Sequence, residues 1–203
     1  MGLAVDSAPT VGKKRLTLMR EIAGLFRKRG YHGSTMSDIA EHVGLNKGTL
    51  YYYFPSKSDM LYAIYLEAYA RLDDNIAEAP KGVPSDEELA AYVKAILRTI
   101  SAIPDVIAVY FQEHSWLETS LSEEQVQTIR IKEAEFTGRL RNIVKEGVRQ
   151  NVFRRVNDQL LTAQLMAMFS TLQRWHVAES EASAELVADT ILGYLYEGIL
   201  AQR

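Results

Sequence analysis

The chain of 203 residues contains no cysteine. Disulfides, thiolate metal sites and cysteine nucleophiles are therefore excluded, and the composition suits a reducing compartment, so the cytoplasm is the expected location. Proline is scarce, five in all, and falls at segment boundaries. No uninterrupted apolar run reaches the roughly 20 residues needed to cross a bilayer, so no membrane is expected as a partner. The opening MGLAVDSAPT lacks a basic n-region and a continuous apolar stretch, and does not read as a signal peptide. Asp6 stands where myristoylation requires Ser or Thr. There is no internal repeat, phosphate loop, nucleophile motif or metal-ligand spacing, so no catalytic residue, cofactor or metal is expected. Glu113 and His114 are neighbours, but adjacent helical residues point about 100° apart and cannot easily act on one atom.

What is present is a core and a helical period. Hydrophobic residues make up 47% of the chain. Met19, Ile22, Ala23 and Phe26 recur at i, i+3, i+4, i+7 and form one apolar stripe from Gly12 to Arg29, closed by the cations and glycine of RKRG. A second helix starts at Thr35, which pairs with Asp38 as a capping box and turns Ile39, Ala40 and Val43 inward. Gly44 ends it. Asn46 caps a third helix, Lys47 to Phe54, which Pro55 stops. Ser56 and Asp59 open a long helix to Ala79. Further helices are expected over 86–103, 104–117, 123–150, 158–178 and 183–201, with Pro104 in a first turn and Ser122–Gln125 as another capping box. The fold class is all-α.

Charge divides this string of helices. Residues 1–60 hold nine Lys/Arg and five Asp/Glu; the remainder holds 14 and 21, so a start of net +4 precedes a body of net −7. Two domains are expected: residues 1–58 as a tail and a small basic helical domain, and 59–203 as a larger acidic helical domain.

Two short helices joined at Gly44 match a helix-turn-helix, whose second helix enters the DNA major groove. At about 100° per residue, Leu50 and Phe54 share the packed side of LNKGTLYYYFPSK, while Gly48 and Tyr52 point away with Thr49 and Tyr51 on the flanks. Lys47 is placed to reach guanine edges or a phosphate, and Gly48 lets the backbone approach. Thr49 and Tyr51 offer apolar contact to a thymine methyl, and hydroxyls. Tyr52, Tyr53 and Lys57 suit phosphates, and Thr35 sits at a helix N-terminus fit for an anion.

AGLFRKRGYHGSTMSDIAEHVGLNKGTLYYYFPSKSDML resembles the DNA-binding domain of TetR-family transcriptional regulators over about the first 65 residues. Val43, Asn46 and Ser58 depart mildly from the family pattern. The resemblance implies a homodimer on a palindromic double-stranded operator, with repression relieved by a small molecule bound in the second domain. A DNA-binding activator or architectural regulator without an inducer is the alternative.

The last two helices carry broad apolar faces, Leu161, Leu165, Met168, Phe169 and Leu172 on one, and Val187, Ile191, Tyr194, Leu195 and Ile199 on the other, suited to a four-helix dimer bundle. An effector pocket, apolar with a few convergent polar groups, is expected from Tyr110, Phe111, Glu113, His114 and Trp116 with Phe169, Gln173 and Arg174. The marks E-H before W-L, E-G-x-x-x-x-x-F-R and the late W-H are similar to a TetR subgroup controlling fatty-acid, steroid and related lipid degradation. Its members commonly sense coenzyme A thioesters, so the resemblance implies an acyl-CoA effector.

Overall fold

The computed structural model describes residues 8–80, 82–179 and 183–199, with side chains described for 12–80, 82–172 and 183–199. The described residues form helices and their connections without a β-strand, so the chain is all-α. Two compact units are present, one of residues 1–67 and 105–126, the other of 68–104 and 127–203. The boundary expected after Ser58 falls at the start of a continuous helix, Lys57–Ala77, and the compact division falls further along that same helix.

In the first unit, α1 spans Ala8–Arg29, α2 Met36–His42 and α3 Lys47–Tyr53. The first part of α4, Lys57–Ala77, completes this group. The apolar stripe of α1 is the buried side: Met19, Ile22, Ala23 and Phe26 are buried, as are Ile39 and Ala40 of α2, Leu50 and Phe54, and Met60, Leu61 and Ile64 of α4 in the same compact unit. The caps form where local chemistry demands. Thr35 accepts from the Asp38 amide at 3.2 Å and donates its own amide to the Asp38 carboxylate at 2.8 Å. The Ser122–Gln125 box is likewise reciprocal, at 3.1 and 3.3 Å. Ser56 caps the Asp59 amide at 3.0 Å, and the other Asp59 oxygen accepts from the Gln125 side chain at 3.1 Å, tying these two helix starts together.

In the second unit, α5 runs Ser85–Ala102. The same unit holds most of α8, Glu123–Arg149, together with α9, Asp158–Glu179, and α10, Ala184–Ile199. Between α5 and α8 the chain forms α6, Pro104–Glu113, a 3-10 turn His114–Trp116 and the single turn α7, Leu117–Ser120. Tyr92 stacks on Phe136 at 5.5 Å and donates its hydroxyl to the Phe136 carbonyl at 2.7 Å. Lys94–Asp189 at 2.8 Å and Arg98–Glu185 at 3.1 Å join α5 to α10. The turn after α8 is built on a space constraint. Phe153 is buried with its ring against Gly147, where an added Cβ would lie 2.2 Å from the ring, and its amide donates to the Gly147 carbonyl at 3.0 Å. Among the described side chains of α9 and α10, Leu165, Phe169, Val187, Ala188, Leu192 and Ile199 are buried, whereas Leu160, Leu186 and Tyr194 are exposed.

Candidate nucleic-acid interface

The link from α2 to α3 is set by three residues. Val43 ends α2, Gly44 takes φ +65°, and the chain turns through paired bonds from Leu45 N to Ala40 O (2.9 Å) and Gly44 N to Glu41 O (3.2 Å). This is a Schellman closure, and its left-handed position favours glycine. Asn46 then caps α3 by accepting from the Thr49 amide at 2.8 Å. The sharp turn leaves α3 packed on one side only. Leu50 and Phe54 are fully buried, while Tyr52 is 72% and Tyr51 46% exposed. Lys47 and Gly48 are exposed beside them, and Thr49 is half-buried. An exposed cation at the helix start with two exposed aromatic hydroxyls forms a surface able to hydrogen-bond and stack.

Two residues expected on that surface, Tyr53 and the half-buried Lys57, also make inward contacts. Tyr53 is only 9% exposed; its ring meets Tyr52 edge-on at 5.2 Å and lies 5.8 Å from the Lys14 ammonium, while its carbonyl accepts from Arg15 at 3.2 Å. Lys57 donates to the carbonyls of Tyr31 at 2.9 Å and Ser34 at 3.0 Å and lies 4.2 Å over the Tyr31 ring. Burial lowers the Lys57 pKa against the opposing pull of Glu113. Two of its three protons are thus committed within the protein. Thr35 is exposed, but its hydroxyl and amide are both directed at Asp38, whose carboxyl these bonds hold below the usual range, with Arg29 at 3.8 Å adding to the effect. An anion arriving at this N-terminus meets a carboxylate already there.

The residues expected around an effector divide between the units. Tyr110, Phe111, Glu113, His114 and Trp116 belong to the first, and Phe169 to the second, where it is buried. Gln173 and Arg174 lie outside the residues whose side chains are described. Tyr110 contacts Phe111 at 5.0 Å and His114 at 5.8 Å, and Trp116 is exposed with its ring 5.9 Å from His32. Glu113 is 6% exposed, and its partners lie at the α1–α2 turn: Oε1 accepts from Tyr31 N at 3.4 Å, and Oε2 is 3.7 Å from His32 Nε2. Sequence reasoning missed this placement because Tyr31 is 82 residues away in the chain. Within the second unit an open cleft of about 780 Å³ lies between α5 and α8, lined by Ile76, Tyr92, Arg139, Ile143 and Arg149 among others. None of the expected effector residues lines it.

The model of bacterial regulatory proteins of the tetR family matches residues 18–64, and that of the Tetracyclin repressor-like C-terminal domain matches residues 82–199, more than half of the chain. The HTH-type transcriptional repressor KstR2 of Rhodococcus jostii (strain RHA1) is 27% identical over 197 residues, covering 94% of both chains. The Fatty acid metabolism regulator protein of Bacillus subtilis (strain 168) is 23% identical over 189 residues, covering 92% of this chain and 95% of its own. Among solved structures, the TetR family transcriptional regulator PfmR from Thermus thermophilus is similar with a TM-score of 0.80 and 28% identity, covering 89% of this chain and 97% of that one.

Proposed function

Since the chain belongs to the tetR family of bacterial regulatory proteins, we propose that it is a ligand-responsive cytoplasmic repressor that binds a palindromic operator as a homodimer. In this reading a small-molecule effector releases it, and the candidate is an acyl-CoA or another intermediate of lipid degradation. The observation that carries the DNA-binding part is the one-sided packing of α3, which leaves Lys47, Gly48, Tyr51 and Tyr52 facing solvent. Lys47 and Tyr51 would read base edges, Thr49 would meet a thymine methyl, and Tyr52 would bond a phosphate.

The dimer is supported by the apolar side chains that α9 and α10 leave exposed, Leu160, Leu186 and Tyr194, which a second copy would cover. The effector class is supported by two relatives, the repressor KstR2 and a regulator of fatty acid metabolism. Tyr110, Phe111, His114 and Trp116, which lie together in the first unit, are the residues proposed to face it. Release requires that the ligand prefer a dimer whose recognition helices no longer fit successive major grooves, about 34–36 Å apart. By linkage, operator and ligand must weaken one another by the same factor.

The test starts from a duplex selected out of a randomised pool by the full chain. Fluorescence anisotropy then gives its affinity with and without acyl-CoA thioesters of graded chain length. The expected result is a palindromic selected site and an affinity reduced by at least one thioester. Failure to select any duplex refutes the DNA-binding reading. Selection with an affinity indifferent to every thioester refutes the effector and favours a regulator without an inducer.

A further inference from the structure

Glu113 poses a physical problem. Its carboxylate is buried, yet Oε2 has no hydrogen-bond partner, and Oε1 has a single amide at 3.4 Å. Removing a carboxylate from water is costly unless its oxygens are satisfied, and an apolar side chain of similar size would pack there at least as well. Stability of the fold therefore does not account for a carboxylate at this position. What it touches does.

The amide it accepts from belongs to Tyr31, in the short turn between α1 and α2. The same turn is held from its carbonyl side by Lys57, which takes Tyr31 O and Ser34 O. One peptide segment is thus gripped by opposite charges from two helices, a carboxylate from α6 on an N–H and an ammonium from α4 on two C=O groups. The Tyr31 ring is fixed as well, edge-on to Phe26 at 5.3 Å and under the Lys57 ammonium. Ser34 leads directly into Thr35, the N-cap of α2. Whatever sets the position of residues 31–34 sets where α2 starts, and through the Gly44 turn where α3 lies.

We propose that Glu113 is a positioning residue for operator recognition: with Lys57 it clamps the α1–α2 turn, and it acts on DNA only through the Tyr31 amide. The proposal rests on the DNA-binding reading above and assigns Glu113 to the helix-turn-helix rather than to an effector.

The experiment uses the full chain with Glu113→Met, which keeps volume and removes the acceptor, and Glu113→Gln, which keeps a carbonyl oxygen for the amide. Affinity is measured on the selected operator and on a random duplex, together with melting temperature and hydrogen exchange at the Tyr31 amide. For Glu113→Met the expected result is operator binding weaker by about tenfold and Tyr31 exchange faster by about tenfold, with random-duplex binding little changed and melting temperature lowered by a few degrees only. Glu113→Gln is expected to restore both to within about threefold of the parent. Operator affinity unchanged in Glu113→Met overturns the proposal. So does a loss that Glu113→Gln shares in full, or one that follows the melting temperature in parallel, since either marks a merely structural residue. The exchange measurement needs no DNA, so a chain that selects no duplex refutes the DNA-binding reading while an unchanged Tyr31 exchange rate refutes the clamp.

Discussion

Helices α3 and α6 are both short and both carry adjacent aromatic rings, yet they put their polar groups to opposite use. α3 buries Leu50 and Tyr53 and leaves Lys47, Tyr51 and Tyr52 in solvent. α6 buries Val106, Ile107, Ala108 and Val109, and then buries Glu113 as well. The difference lies in how many sides are packed. A helix held on one side offers its remaining rings and charge to a partner outside the molecule. A helix enclosed on most sides turns even a carboxylate into an internal contact. Residue type alone does not distinguish these cases; register against the packing neighbours does.

The sharpest way to break this comparison is to cut the two sides of α3 separately. Leu50→Ala removes a fully buried side chain and is expected to cost about 2–5 kcal/mol in chemical denaturation. Tyr52→Ala, on the other side, should leave denaturation within about 0.5 kcal/mol while weakening operator binding in the anisotropy titration. A Tyr52→Ala variant that unfolds as readily as Leu50→Ala would contradict the one-sided packing.

Two lysines ten residues apart sharpen the contrast further. Lys57→Ala abandons two carbonyls and should lower stability by about 1.5–3 kcal/mol, with little effect on how operator affinity varies with salt. Lys47→Ala should behave the other way. Its melting temperature stays put, operator affinity falls by about 1–3 kcal/mol, the salt slope drops by about one, and base preference changes at one position of the site. If Lys57→Ala alters the salt slope and leaves melting unchanged, its ammonium serves the DNA and not the turn.

The smallest effect is expected at the start of α2. Thr35→Ala loses the cap and should lower the melting temperature by a few degrees. The Asp38 carboxyl is held low by its bonds to Thr35, so its contribution is complete above the ordinary carboxylate pKa and is lost as pH falls through the lowered one. Melting scanned downward from neutral pH should therefore decline in acid, and Thr35→Ala should decline less steeply there.

How much of this was legible in the sequence follows from the range of each interaction. The capping boxes at Thr35 and Ser122, the Asn46 cap and the Gly44 turn need only residues within five positions, and each stands where the spacing puts it. α6 was expected to continue to Leu117, but it tightens into a 3-10 turn after Glu113; no proline or glycine marks the place. The inward roles of Lys57 and Glu113 were not readable, because their partners lie 23 to 82 residues away and are backbone groups, which every residue type supplies alike. Tyr53 sits one position round the helix from Phe54 and Tyr52, where a rotation estimate cannot separate buried from exposed.

The Phe153 ring seated over Gly147 has an evolutionary consequence. The two positions share a fixed volume, so neither can drift alone: a methyl gained at 147 demands a smaller side chain at 153. Among descendants of this gene the pair should change together or not at all, and a lone bulky residue at 147 should be missing from the surviving lineages.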